Sequence, residues 1–100
     1  MSKKQVIITD RAYNAFRRIV QQVKTTSLIG AEEARMTILN RIRKICGNPA
    51  HGSREANFQT LDGEYRSALA WNYRIYYKVE EDRLIILDMI IDENVATPEI

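Results

Sequence analysis

EYRSALAWNYRIYYKVEEDRLIILDMII, Glu64–Ile91, reads as three strands joined by two short turns. Tyr73, Ile75, Tyr77 and Val79 recur at every second position, with Arg74, Tyr76 and Lys78 between them. A strand over Asn72–Val79 therefore puts the first set on one face and the second on the other. Glu64–Ala70 forms the strand before it, and Glu80–Asp82 the polar turn after it. Arg83–Ile91 is almost wholly apolar, as expected of a central strand covered on both faces. Three such strands make a meander with an apolar side to bury.

Upstream the period changes from 2 to 3.6. Val6–Thr9 is a β-branched run that predicts a first strand, and Asp10 can cap the helix after it. Tyr13, Phe16, Val20 and Val23, with Ala12 and Ile19 beside them, form the apolar side of a helix ending near Lys24. A second helix opens at Gly30. Ala31, Ala34, Ile38, Ile42 and Ile45 form its apolar stripe, Glu32 and Glu33 suit its start, and Arg41, Arg43 and Lys44 suit its end. Gly47 fits its C-terminal cap, and Pro49 stops it. The predicted class is α+β in the order β-α-α-β-β-β. The N-terminal strand and a helical hairpin pack on a mainly antiparallel sheet that ends in the three-stranded meander. The other sheet face then carries Arg74 and Tyr76, with Arg66 as a further candidate. Residues 1–92 form the expected domain, and residues 93–100 read as a tail with no clear element.

With 100 residues, 45% of them hydrophobic, the chain suffices for one domain with a real core. No apolar run approaches the ~20 residues of a membrane-spanning helix, and the N-terminus lacks the apolar core of a secretory signal. One cysteine and one histidine exclude an internal disulfide, a cysteine-based zinc site and a His–His metal motif. The expectation is a cytoplasmic protein with no metal, no cofactor and no membrane partner. Phosphate-loop, nucleophile-elbow and dinucleotide-binding glycine motifs are absent from the sequence. The charge is unevenly distributed. Residues 1–45 hold ten Lys or Arg against three Asp or Glu, and residues 46–100 hold five against ten. A polyanion or an acidic partner suits the first half, and a solvated helical surface is the plainer account.

Three groups could carry chemistry. Arg66, Arg74, Tyr76 and Lys78 on the uncovered sheet face combine guanidinium groups that pair with phosphate and a ring that stacks on bases. An ordinary solvated strand face would look similar. His51, Arg54 and Glu55 fall in the polar stretch Asn48–Gly63, where a carboxylate beside arginines could act as a general base. Arg41, Arg43 and Lys44 could bind phosphate, or simply complement the helix dipole.

Leu61–Ile90 resembles the C-terminal half of RelE/ParE-superfamily toxins through Leu61, Gly63, Tyr65, Arg66, Tyr73, Arg74, Ile75 and Tyr77. The β-α-α order and the Asn48-Pro49-x-x-Gly52 turn upstream are also similar to that superfamily, so the likeness spans about residues 5–91. It implies the toxin of a type II toxin–antitoxin system, made with a cognate antitoxin. The first activity it implies is ribosome-dependent mRNA cleavage by a metal-independent endoribonuclease, with the ribosome and mRNA as partners. Glu55 would then be the general base, and Arg74 and Arg66 would stabilise the phosphorane. Arg54, His51, Tyr76 and Lys78 would contact RNA. The alternatives are a ParE-like inhibitor of DNA gyrase without nuclease activity, or a degenerate member that keeps only antitoxin or nucleic-acid binding. The sequence departs from RNA-cleaving members just after the last strand. Ile90-Ile91-Asp92-Glu93-Asn94 is acidic there and offers no Arg, His or Tyr.

Overall fold

The structure is a computed structural model describing residues 4–55 and 63–92, the side chain of His51 apart. The expected tail, residues 93–100, and the motif residue Leu61 lie outside the described residues. Strand β1 (Gln5–Ile8) leads into helices α1 (Asp10–Lys24) and α2 (Leu28–Gly47). A 3-10 turn (Pro49–His51) and a short strand β2 (Ser53–Arg54) follow, then β3 (Glu64–Ala70), β4 (Tyr73–Val79) and β5 (Arg83–Ile91). The predicted order is present, with β2 added inside the polar stretch. The sheet order is β1-β5-β4-β3-β2, antiparallel except where β1 runs parallel to β5.

The helical hairpin covers one face. All five predicted α2 positions, Ala31, Ala34, Ile38, Ile42 and Ile45, are buried. Ala12, Ala15 and Ile19 of α1 meet Ala68, Ala70, Tyr73, Ile75 and Tyr77 from the sheet in the same core. Tyr13, expected on the buried side of α1, is exposed. Its ring lies at the rim beside Ile8 and under the Arg17 guanidinium, because the small alanines bring the helix down along a neighbouring line.

Both helix starts sit one or two residues earlier than the periodicity suggests. Thr9, not Asp10, caps α1. Its hydroxyl accepts from Ala12 N at 3.1 Å and donates to Ile86 O at 2.9 Å, tying the helix start to β5. Ser27 caps α2 by accepting from Gly30 N at 2.9 Å, so the helix opens at Leu28. At the other end Gly47 is still helical and Asn48 is the cap.

Strand β5 differs more. Tyr77 pairs with Ile86 but Tyr76 pairs with Asp88, so Leu87 is an extra residue opposite the partner strand. This bulge shifts the buried phase from Leu84 and Ile86 to Met89. Two apolar half-strands out of phase look like one continuous apolar run. Only one face of β5 lies under the helices; Ile85 and Leu87 are half-buried on the other, and Ile90 and Ile91 are exposed. The expectation of a strand covered on both faces is corrected accordingly.

Burial holds the phenols of Tyr73 and Tyr77 above their ordinary value of 10.0. For Tyr77 this outweighs the Gly52 N–H and the Arg66 charge, which favour the phenolate. In the unfolded chain both phenols ionise near the ordinary value. The stability from keeping them neutral is complete below about pH 10 and is lost as pH rises towards the folded-state values. Urea midpoints should therefore hold between about pH 7 and 9 and fall above about pH 10, while phenolate absorbance grows. Midpoints that stay level as the phenolate signal appears would contradict this account.

Candidate functional site on the open sheet face

Register decides which side chains share the uncovered face. Tyr65 pairs with Lys78, Ser67 with Tyr76 and Leu69 with Arg74. Across β4, Tyr76 pairs with Asp88, Arg74 with Ile90 and Lys78 with Ile85. All of these face away from the helices. The Glu55 backbone N–H donates to Tyr65 O at 2.8 Å, which continues the β2–β3 pairing and brings Glu55 to the same side. A cavity of about 570 Å³ opens there, lined by Thr9, Arg11, Glu55, Tyr65, Arg66, Tyr76, Leu87 and Asp88.

The site is electrostatically closed on itself. Arg74 Nε and Nη2 both contact Asp92 Oδ2 at 2.8 Å, and Nη1 donates to Ser67 Oγ at 3.1 Å. Asp92 is itself fixed by its N–H donating to Asn72 O at 2.6 Å. Lys78 Nζ lies 3.0 Å from Glu80 Oε2 and 5.7 Å from the Tyr65 ring centroid. Arg11 pairs with Asp88 at 3.1 Å. Hydrogen bonds from Lys78 and then Arg83 hold the Glu80 carboxyl below its ordinary value. Each cation on this face has a carboxylate, and Glu55 adds another negative charge.

The structure thus brings Glu55, Arg66 and Tyr76 to one cavity, with Lys78 on the open face beside it. Arg74 lies farther along that face, near a small depression of about 120 Å³ reached also by Arg41. Arg66 also lines the cavity, although it belongs to the other face of β3. Its register partner is Tyr77, so its side chain lies on the helix side of the sheet. There Nη1 donates to Gly52 O at 2.6 Å and Nε to Glu64 Oε2 at 3.1 Å. Arg54 shares that side, 3.9 Å from Glu64 Oε2. Arg66 thus shares a cavity with Glu55 and Tyr76, while its guanidinium is anchored at the Gly52 turn and not beside Arg74. The backbone of His51 closes the 3-10 turn, and the RNA contact expected of its side chain lies outside what the structure describes.

The Asn48-Pro49-x-x-Gly52 turn has a structural explanation. The buried Tyr77 hydroxyl accepts from Gly52 N at 3.0 Å and donates to Pro49 O at 2.7 Å. The turn is stapled to the back of β4, which aims β2 and Glu55 along the sheet. Sequence reasoning missed Asp92 as the partner of Arg74. Its only signal was an acid directly after the last strand. Tyr65, Leu87 and Thr9 were also missed as cavity walls. Among the described residues, no group of three His, Cys, Asp or Glu side chains stands in a metal-holding arrangement, and no helix is long and apolar enough to cross a membrane.

A helical hairpin on one face of a mixed sheet, with a tyrosine-stapled Asn-Pro-x-x-Gly turn and a tyrosine- and carboxylate-lined cavity on the other, fits the superfamily that the sequence resembles. The model of the ParE toxin of type II toxin–antitoxin systems, parDE, matches residues 6–92, and the chain belongs to that family. A chain of the chromosomal ParDE toxin–antitoxin system of P. aeruginosa has a similar fold. It aligns at TM-score 0.64 and 16% identity, over 91% of this chain and 98% of the other. No curated protein sequence matches it.

Proposed function

We propose that this ParE-family toxin arrests growth by binding DNA gyrase, not by cutting mRNA, and that a cognate antitoxin neutralises it. The observation that carries this reading is the Arg74–Asp92 pair. In-line cleavage of RNA needs uncompensated positive charge where the phosphorane forms. Here the arginine best suited to supply it is held through three of its nitrogens by Asp92 and Ser67. The second arginine, Arg66, lines the cavity with the assumed base Glu55, but its guanidinium is engaged by Gly52 O and Glu64. A cavity walled by tyrosines, Leu87 and two arginines already paired, Arg11 with Asp88 and Arg66 with Glu64, suits a protein side chain better than a phosphodiester. Family membership supports the same choice, since the likeness to ParE toxins implies a gyrase inhibitor.

The test has two arms. Purified chain is added to a gyrase supercoiling assay, and transcripts are followed after induction in bacteria. Gyrase inhibition with intact transcripts is the expected result, with Glu55→Gln leaving it unchanged. Ribosome-dependent mRNA cleavage that Glu55→Gln abolishes in a folded protein would restore the nuclease reading. Neither effect would leave a degenerate member that binds only antitoxin or nucleic acid.

A further inference from the structure

Of the positive charge concentrated in residues 1–45, the sheet-face cavity and the depression beside Arg74 take only Arg11 and Arg41. The arginines of the strand layer pair with Glu64, Glu80 or Asp92, and Arg11 at the start of α1 pairs with Asp88. The outer surface of the helical layer is different. Among the described residues, Arg17, Arg18 and Lys24 of α1 and Arg43 and Lys44 of α2 have no carboxylate within salt-bridge distance. No acidic residue occurs between Arg11 and Ala31. Asn14, Arg17, Arg18 and Gln21 line a shallow depression of about 390 Å³ on the exposed side of α1, and Gln22 and Lys24 are exposed beyond it. Arg17 is steadied by the Tyr13 ring, 5.9 Å from guanidinium carbon to centroid.

We propose that this outer face of α1 is a contact surface for double-stranded DNA. Arginine, asparagine and glutamine are the side chains whose paired hydrogen-bonding groups match guanine and adenine edges, and arginine and lysine neutralise phosphates. The chemistry fits an acidic protein less well. Protein interfaces are built on apolar anchors that become fully buried, and Asn14, Arg17, Arg18, Gln21, Gln22 and Lys24 supply none. RNA is also a poorer fit. The major groove of an RNA helix is too narrow for side chains to read, and single strands need a platform of aromatic rings. Tyr13 alone does not make one. The major groove of B-form DNA is about 12 Å wide and admits a helix. The sheet-face cavity meets α1 only at Arg11 and shares no lining residue with this depression, so this contact does not depend on which target the toxin inhibits.

The experiment is fluorescence anisotropy of the purified chain with a labelled duplex of about 20 base pairs, across a salt series. Binding should weaken steeply with salt. The double variant Arg17→Ala/Arg18→Ala should bind at least about tenfold more weakly, and its log–log salt slope should flatten by roughly 2. Both positions are exposed, so circular dichroism should stay native. Arg83→Ala, at the start of β5, should bind like the unmodified chain. The proposal is overturned by a double variant that binds normally, or by no duplex binding at about 50 mM salt. It is equally overturned if single-stranded RNA or poly-glutamate binds as tightly as the duplex.

Discussion

Gly52→Ala should destabilise the chain by roughly 3 kcal/mol or more, because it combines overpacking with loss of a buried hydrogen-bond staple. A Cβ at this position would overlap both the Tyr77 hydroxyl and the Ser67 carbonyl oxygen. The second obstacle is backbone of β3, so it cannot swing aside. The φ of Gly52 is −87°, an ordinary value for any residue, so the requirement for glycine here is one of space. Relief would push the 3-10 turn off β4. Gly52 N–H and Pro49 O would then lose the Tyr77 hydroxyl that both share. For a domain of this size the melting temperature should fall by about 10–20 °C. Gly52→Ala in a Tyr77→Phe background separates the two obstacles. Removing the hydroxyl clears one of them, so the double variant should be less destabilised than the sum of the singles, by about 0.5–1 kcal/mol. A melting temperature within a degree or two of the unmodified chain for Gly52→Ala would show that the turn is not seated on β4.

Ile38→Ala should cost a similar amount, about 2–5 kcal/mol, through lost burial and the cavity left behind. Ile38 is 0% exposed, near the middle of α2 and in the core shared with α1 and the sheet. Its neighbours on the α2 stripe, Ala34 and Ile42, are held by the same helix backbone, so collapse into the gap is limited. Urea denaturation should show a lower midpoint with an unchanged slope, since the surface exposed on unfolding barely alters. Leu28→Ala is the control. Leu28 is 70% exposed at the hairpin tip, and its truncation should change stability by no more than about 0.5 kcal/mol. Equal losses at the two positions would mean that the helical hairpin is not packed as described.

Parts of the site were legible and parts were not, for identifiable reasons. Strict alternation in β4 put Arg74, Tyr76 and Lys78 on one face, and the register confirms that face. Arg66 was ambiguous because Glu64-Tyr65-Arg66-Ser67 has no apolar alternation to phase it. Pairing with Tyr77 places it on the helix side, where it serves the Gly52 turn. Arg74 could be found from sequence, but its compensation by Asp92 could not. That pair spans 18 residues and depends on how β5 ends beside Asn72.

The sequence by itself determined the two helices, the meander and the α2 face that is buried, because hydrophobic periodicity is a local property set by backbone geometry. The likeness to RelE/ParE toxins was also readable, from residues near one another in the chain. Only the tertiary structure decided the parallel pairing of β1 with β5, the bulge at Leu87, the Thr9 and Ser27 caps, and the seating of Gly52 against Tyr77. It also decided which cations are neutralised and which remain available: the strand arginines find carboxylates, and Arg17, Arg18 and Lys24 of α1 do not. Register, close approach and charge pairing each depend on atoms far apart in sequence, and no local pattern of residues encodes those distances.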